Sequence, residues 1–226
     1  MTIGLVIRTT MLLMLFSQTS WANEIYITQS GDRLDLEMQQ RSQDNYISYN
    51  ETGDDNTVKV YQGMHPDGTI DGDETGGHEA YWTVTGGSNT VASYQTDENR
   101  GGGGGAAHHL ANVVNGDNNV VEHTQRGKAG HDGFVEIQGD SNTVDLYQRG
   151  NGGQKWADIV LTGDGHTVDV DQRGSNSASA TIDLTNSGGA YDFTLTQNVT
   201  TSADSFSVTG SCTTVGGCSV IVNRNN

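Results

Sequence analysis

From Asn142 to Gln148 the chain reads Asn-Thr-Val-Asp-Leu-Tyr-Gln, and Val144 and Leu146 alternate with residues of polar character. A period of two puts Asn142, Val144, Leu146 and Gln148 on one face of a strand. Phe134-Val135-Glu136-Ile137 alternates in the same way just upstream. Between the two lies Gly139-Asp140-Ser141-Asn142, where glycine admits positive φ and the Asp and Asn side chains bond to nearby backbone. The predicted unit is strand, tight turn, strand, with Val135, Ile137, Asn142, Val144, Leu146 and Gln148 facing inward.

The unit recurs. Gly53-Asp-Asp-Asn-Thr-Val-Lys-Val-Tyr-Gln and Gly163-Asp-Gly-His-Thr-Val-Asp-Val-Asp-Gln follow the same plan. The turn glycines Gly31, Gly53, Gly86, Gly116, Gly139, Gly163, Gly188 and Gly210 are spaced by 22, 33, 30, 23, 24, 25 and 22 residues. Glutamine stands nine residues after the glycine in seven units, as Gln40, Gln62, Gln95, Gln125, Gln148, Gln172 and Gln197, and only the last unit replaces it, with Ser219. Asparagine stands three residues after the glycine at Asn56, Asn89, Asn119 and Asn142. The two long spacings carry insertions near 64–80, which holds the single proline Pro66, and near 97–109, which holds Gly101 to Gly105.

One unit of this length has too few apolar side chains to offset the entropy of ordering it, so units must stack. Stacking also accounts for the amides. A lone buried glutamine leaves unsatisfied groups at about 1–3 kcal/mol, whereas identical amides placed one above another donate and accept along the stack. The fold expected is all-β: a β-solenoid of about eight stacked strand-turn-strand rungs, roughly 40 Å tall at a strand spacing of about 4.8 Å.

Composition sharpens the picture. Only 33% of the residues are apolar and the mean hydropathy is −0.54, thin for an ordinary globular core. Eleven basic against 28 acidic residues give a net charge of −17, which argues against nucleic acid and anionic lipid as partners. Residues 1–22 read as a secretion signal: Arg8, the apolar run Met11 to Phe16, and Ser20-Trp21-Ala22 as the cleavage site. Uncleaved, they would be an N-terminal anchor. Residues 23–226 then form the mature repeat region, where no segment has the roughly 20 apolar residues of a membrane helix.

Cys212 and Cys218 are candidates for a local disulfide in an oxidising compartment. The seven histidines, His108-His109 among them, are assigned to solvated loops, and Gly-Asp-x-Asn to turn formation instead of calcium binding. No catalytic triad spacing, phosphate loop or dinucleotide fingerprint is present. The expectation is no enzyme activity, no cofactor and no metal.

Gln29-x-Gly31-x-x-Leu34-x-Leu36-x-Met38-x-Gln40 and the units after it resemble the curlin repeat, over roughly residues 24–222. The first glutamine of that motif survives only as Gln29; the other units carry Glu51, Val84, Val114, Ile137, Leu161, Asn186 or Val208 there. The resemblance implies a secreted subunit of curli-like amyloid fibres on a Gram-negative bacterium. Such a subunit would be exported through an outer-membrane pore and polymerise with itself or another curlin-like chain by templated strand addition, for adhesion and biofilm matrix. The glutamine and asparagine columns would form the polymerisation ladder. The insertions, the cysteines and the divergent last unit point to a minor or nucleating subunit over the bulk one. The alternative is a monomeric, capped solenoid acting as a surface adhesin for glycan or calcium.

Overall fold

The computed structural model describes residues 23–41, 43–63, 76–97, 106–186, 191–212 and 218–225. Its strands, two per rung, are β1 (Glu24–Ser30) and β2 (Asp35–Gln40), β3 (Tyr46–Thr52) and β4 (Thr57–Gln62), β5 (Glu79–Thr85) and β6 (Thr90–Thr96), and β7 (His109–Asn115) and β8 (Val120–Arg126). Four further rungs follow: β9 (Asp132–Gln138) and β10 (Thr143–Arg149), β11 (Lys155–Val160) and β12 (Thr167–Arg173), β13 (Ala178–Asn186) and β14 (Tyr191–Asn198), and β15 (Asp204–Cys212) and β16 (Cys218–Asn225). No helix occurs among the described residues.

The odd-numbered strands form one eight-stranded sheet and the even-numbered strands the other, each in chain order. Every pairing is parallel and joins equivalent residues of successive rungs, as in Val121↔Val144 and Val144↔Val168. The described residues thus form an all-β solenoid of eight stacked rungs. Parallel pairing follows from the repeat, because a chain that returns to the same point every rung lays each strand beside its own predecessor in the same direction.

The core is the thin space between the two sheets. Val135, Ile137, Val144 and Leu146 are buried with Asn142 and Gln148, which fulfils the inward face predicted for that rung. Large and small residues compensate across it: a Cβ on Gly133 of β9 would collide with the ring of His123 of β8, so the glycine makes room for the imidazole. Both sheets end on strands paired on one side only, β1 and β2 at one end and β15 and β16 at the other. At the first end Ile25, Leu36 and Met38 are only partly covered.

Three differences from the sequence reading stand out. Gly210 is not a turn residue; it lies inside β15, opposite Leu184, because that strand runs on to Cys212 opposite Asn186. Ser219 consequently stands opposite Asp192, and Arg224 takes the place opposite Gln197. The insertions are shorter than their predicted bounds, since Gly77 already donates its N–H to Gln43 O at 2.8 Å and His109 opens β7. The leader, most of both insertions and Gly188 lie outside the described residues, as do the side chains of Cys212 and Cys218.

Candidate functional site: the stacked polar columns

All seven glutamines share one register, Gln40↔Gln62↔Gln95↔Gln125↔Gln148↔Gln172↔Gln197. From Gln40 to Gln148 the Nε2 donates to Oε1 of the next rung: Gln40 to Gln62, Gln62 to Gln95 and Gln95 to Gln125 at 2.9 Å. Gln125 to Gln148 follows at 3.1 Å and Gln148 to Gln172 at 3.3 Å. The same amide also donates across the core to a carbonyl of the facing sheet, as from Gln148 to Asp132 O at 3.0 Å and from Gln172 to Trp156 O at 2.9 Å. A single side chain therefore ties rung to rung and sheet to sheet. Gln197 keeps the register and donates to Ser179 O, while its Oε1 is buried without a partner among the described residues.

The asparagines close the first turn. The N–H of Asn89, Asn119 and Asn142 donates to Oδ1 of the preceding asparagine at 2.8–2.9 Å, and His166 N–H continues the series onto Asn142. Their Nδ2 groups donate to the turn glycine of the next rung, from Asn56 to Gly86 O and onward to Gly163 O, each at 2.9 Å. Those glycines have φ between +105° and +149°. A Cβ on Gly31, Gly53, Gly86, Gly116 or Gly139 would run into the carbonyl of the glycine stacked on it. Between them, the Asp140 and Asp164 carboxylates accept the N–H of Asp117 and Asp140 at 2.7 and 2.8 Å.

A further column escaped the sequence reading. At the second turn Asn45, His78, His108, His131 and Lys155 stand one above another, each buried. His78 N–H donates to Asn45 Oδ1 at 3.1 Å, His108 N–H to His78 Nδ1 at 3.2 Å, His131 N–H to His108 Nδ1 at 3.1 Å, and Lys155 N–H to His131 Nδ1 at 3.1 Å. The three imidazoles stack with centroids 5.0 Å apart. All five lie eight residues before a turn glycine, and this constant offset is the signal that could have found them. His78, His108, His123, His131 and His166 are accordingly core residues and not solvated loop residues, whereas His109 is exposed but opens strand β7 instead of lying in a loop, and His65 lies outside the described residues.

These contacts fix the proton. An Nδ1 that accepts a backbone N–H leaves the hydrogen on Nε2. His108 Nε2 then donates to Thr96 O at 3.2 Å and His131 Nε2 to Arg126 O at 3.0 Å. Burial, followed by the neighbouring imidazoles, holds His108 well below its usual pKa, and burial lowers His131 to about 4. Burial likewise brings Lys155 down to about 8, its ammonium donating to Gly153 O, Gly174 O and Asn176 O.

His78, Asp97 and His108 bring ligand atoms within 4.8 Å of one another, the spacing of a metal site. Coordination through Nε2 would require the hydrogen to sit on Nδ1, where it would meet the backbone N–H already directed there. The column and a metal ion demand opposite tautomers of the same rings, so the geometry does not suit a resident cation.

Neither a curated protein nor a solved structure matches the chain. Residues 139–174, the fifth turn glycine through the end of the sixth rung, match the family model of the curlin associated repeat. Residues 139–174 thus carry a sequence similar to the curlin associated repeat, and they stack in register with the rungs on either side.

Proposed function

We propose that the chain is an extracellular structural subunit that polymerises by templated strand addition, without catalysis. The observation that carries this reading is the glutamine ladder, hydrogen-bonded in one file from Gln40 to Gln172 between two sheets that both end on open strands. An open parallel strand edge with half-covered Ile25, Leu36 and Met38 beneath it is a template for another rung. The fibre is curli-like and serves adhesion and biofilm matrix at the surface of a Gram-negative bacterium. Residues 1–22 direct export, an outer-membrane pore passes the unfolded chain, and residues 23–226 form the assembled unit. Arg224 at the ladder position opposite Gln197 ends the glutamine file at the C-terminal rung, which favours a minor or end-defining subunit.

The test is growth of the purified chain 23–226, followed by thioflavin fluorescence and sedimentation. A lag followed by growth is expected, with elongation slowed at least ten-fold by Gln148→Ala together with Gln172→Ala. A chain that sediments as a monomer for days overturns the reading in favour of a capped adhesin.

A further inference from the structure

The outer face of the first sheet carries a row of aromatic side chains that the core does not use. Tyr26, Tyr46 and Tyr81 occupy the first three rungs, with ring centroids 5.6 and 5.2 Å apart. Phe134 and Trp156 continue the row on the fifth and sixth, so that it zigzags between two neighbouring columns: Tyr26, Tyr81 and Phe134 share one register, and Tyr46 and Trp156 the one two residues earlier. Tyr26 is 56% exposed, Trp156 46% and Tyr81 41%. In the fourth rung the row is interrupted by Ala111, and there a shallow groove of about 240 Å³ opens between Tyr81, Phe134 and Trp156. Five rung steps separate Tyr26 from Trp156, roughly 24 Å at a strand spacing of about 4.8 Å.

We infer that this face binds a neutral linear glycan lying along the solenoid axis. A saccharide ring presents a flat C–H face that packs on an exposed aromatic ring, and its hydroxyls need acceptors at the edge. Apolar sites with a few placed polar groups are the ordinary form of small-ligand sites. The rim supplies those acceptors: Glu79, paired with His109 at 3.2 Å, and Asp132, which accepts from Gln154. The same carboxylates, on a chain of net charge −17, repel a polyanion, so the ligand is an uncharged polysaccharide and not an acidic one. The row runs lengthwise and crosses six rungs, which suits a chain of sugars better than a single ring. It lies on the wall of the solenoid, away from both open ends, and so does not depend on polymerisation.

The test is affinity electrophoresis of the chain 23–226 in gels containing hydroxyethyl cellulose or polygalacturonate, together with titration of tryptophan fluorescence by cellohexaose. Trp156 is exposed and Trp82 is buried, so the ligand-dependent signal belongs to Trp156. Retardation by the neutral polymer alone is expected, weakened at least ten-fold by Tyr81→Ala with Trp156→Ala, while Trp82 emission and fibre growth are kept. Ala111→Glu, which fills the groove and leaves the rings in place, gives the same loss. No retardation of the parent chain, equal retardation of the variants, or equal retardation by polygalacturonate overturns the inference. So does a parent chain that self-associates through this face and ignores both polymers. Fibre growth fails or persists independently of every one of these outcomes.

Discussion

The N–H of His131 points at Nδ1 of His108, 3.1 Å away, and this one contact makes the charge state of a buried imidazole part of the backbone hydrogen-bond pattern. Protonating His108 would convert an acceptor into a donor facing another donor, and would place a cation 5.0 Å from two neighbouring rings.

Acid should therefore destabilise the solenoid through its histidines. His131 is lowered to about 4 and His123 to about 3, both by burial, from the ordinary 6.5 of histidine. A depressed histidine binds its proton more readily in the unfolded chain. Its contribution is complete above pH 6.5 and is lost as pH falls from there toward the folded values. By pH 4.5 the loss for His131 is about 2–3 kcal/mol. Urea midpoints at pH 7.5 and 4.5 should differ less for His131→Asn, which keeps an acceptor like that of Asn45, than for the parent.

Asp145 acts with the opposite sign. Burial first, then Glu122, Asp169 and Asp171, raise it to about 6 from the ordinary 3.8 of aspartate. The folded chain holds that proton more tightly, so stability falls as pH rises from 3.8 through 6 and the full cost is present at pH 7.5. After a discount for its half-exposed position, Asp145→Asn should stabilise by about 1 kcal/mol at pH 7.5. Thermal unfolding should show no gain at pH 3.5.

Gly116→Ala is expected to prevent the fourth and fifth rungs from stacking. Its φ of +127° suits only glycine, and the added carbon would meet the Gly139 carbonyl backbone, which cannot move aside. Loss of the cooperative circular-dichroism transition would show this. Val120→Thr, in the exposed column between Thr90 and Thr143, should stay within about 0.5 kcal/mol of the parent.

Gly133 and His123 should be coupled. Gly133→Ala alone overfills the core against the imidazole, while in a His123→Val background the same change should be tolerated. Val60 and Val170 already occupy that column in other rungs. A double-mutant cycle should give an interaction of about 1–3 kcal/mol. Additive effects would show that the two side chains do not share the space.

Much of this architecture was legible because it is written in residue identity at a constant offset from glycine. Val144, Leu146 and Gln148 recur as the same kinds of residue, so alternation and spacing alone specify strand, turn and register. The second-turn column was not legible in that way, since it passes from Asn45 through three histidines to Lys155 and keeps no single residue type. What they share is a side-chain acceptor within reach of the next backbone N–H, a property that appears only once the turn is built. Lys155 has no such acceptor, and the series stops there: Ala178 N–H turns to the Gln154 carbonyl instead. Gly210 misled for the converse reason. Val208-x-Gly210 imitates Ile137-x-Gly139, but the strand continues past it to Cys212.

Each side-chain file keeps a single donor-to-acceptor direction along its length. Asparagine and histidine acceptors receive from the higher-numbered rung, and the glutamines from Gln40 to Gln148 give to it, as Gln40 gives to Gln62. The two faces at which the molecule stops are consequently not interchangeable. Two copies meeting through like ends would oppose matching groups, whereas copies set nose to tail continue every file. The molecule thus carries an arrow, and any assembly built by extending its columns inherits that orientation from the first copy laid down.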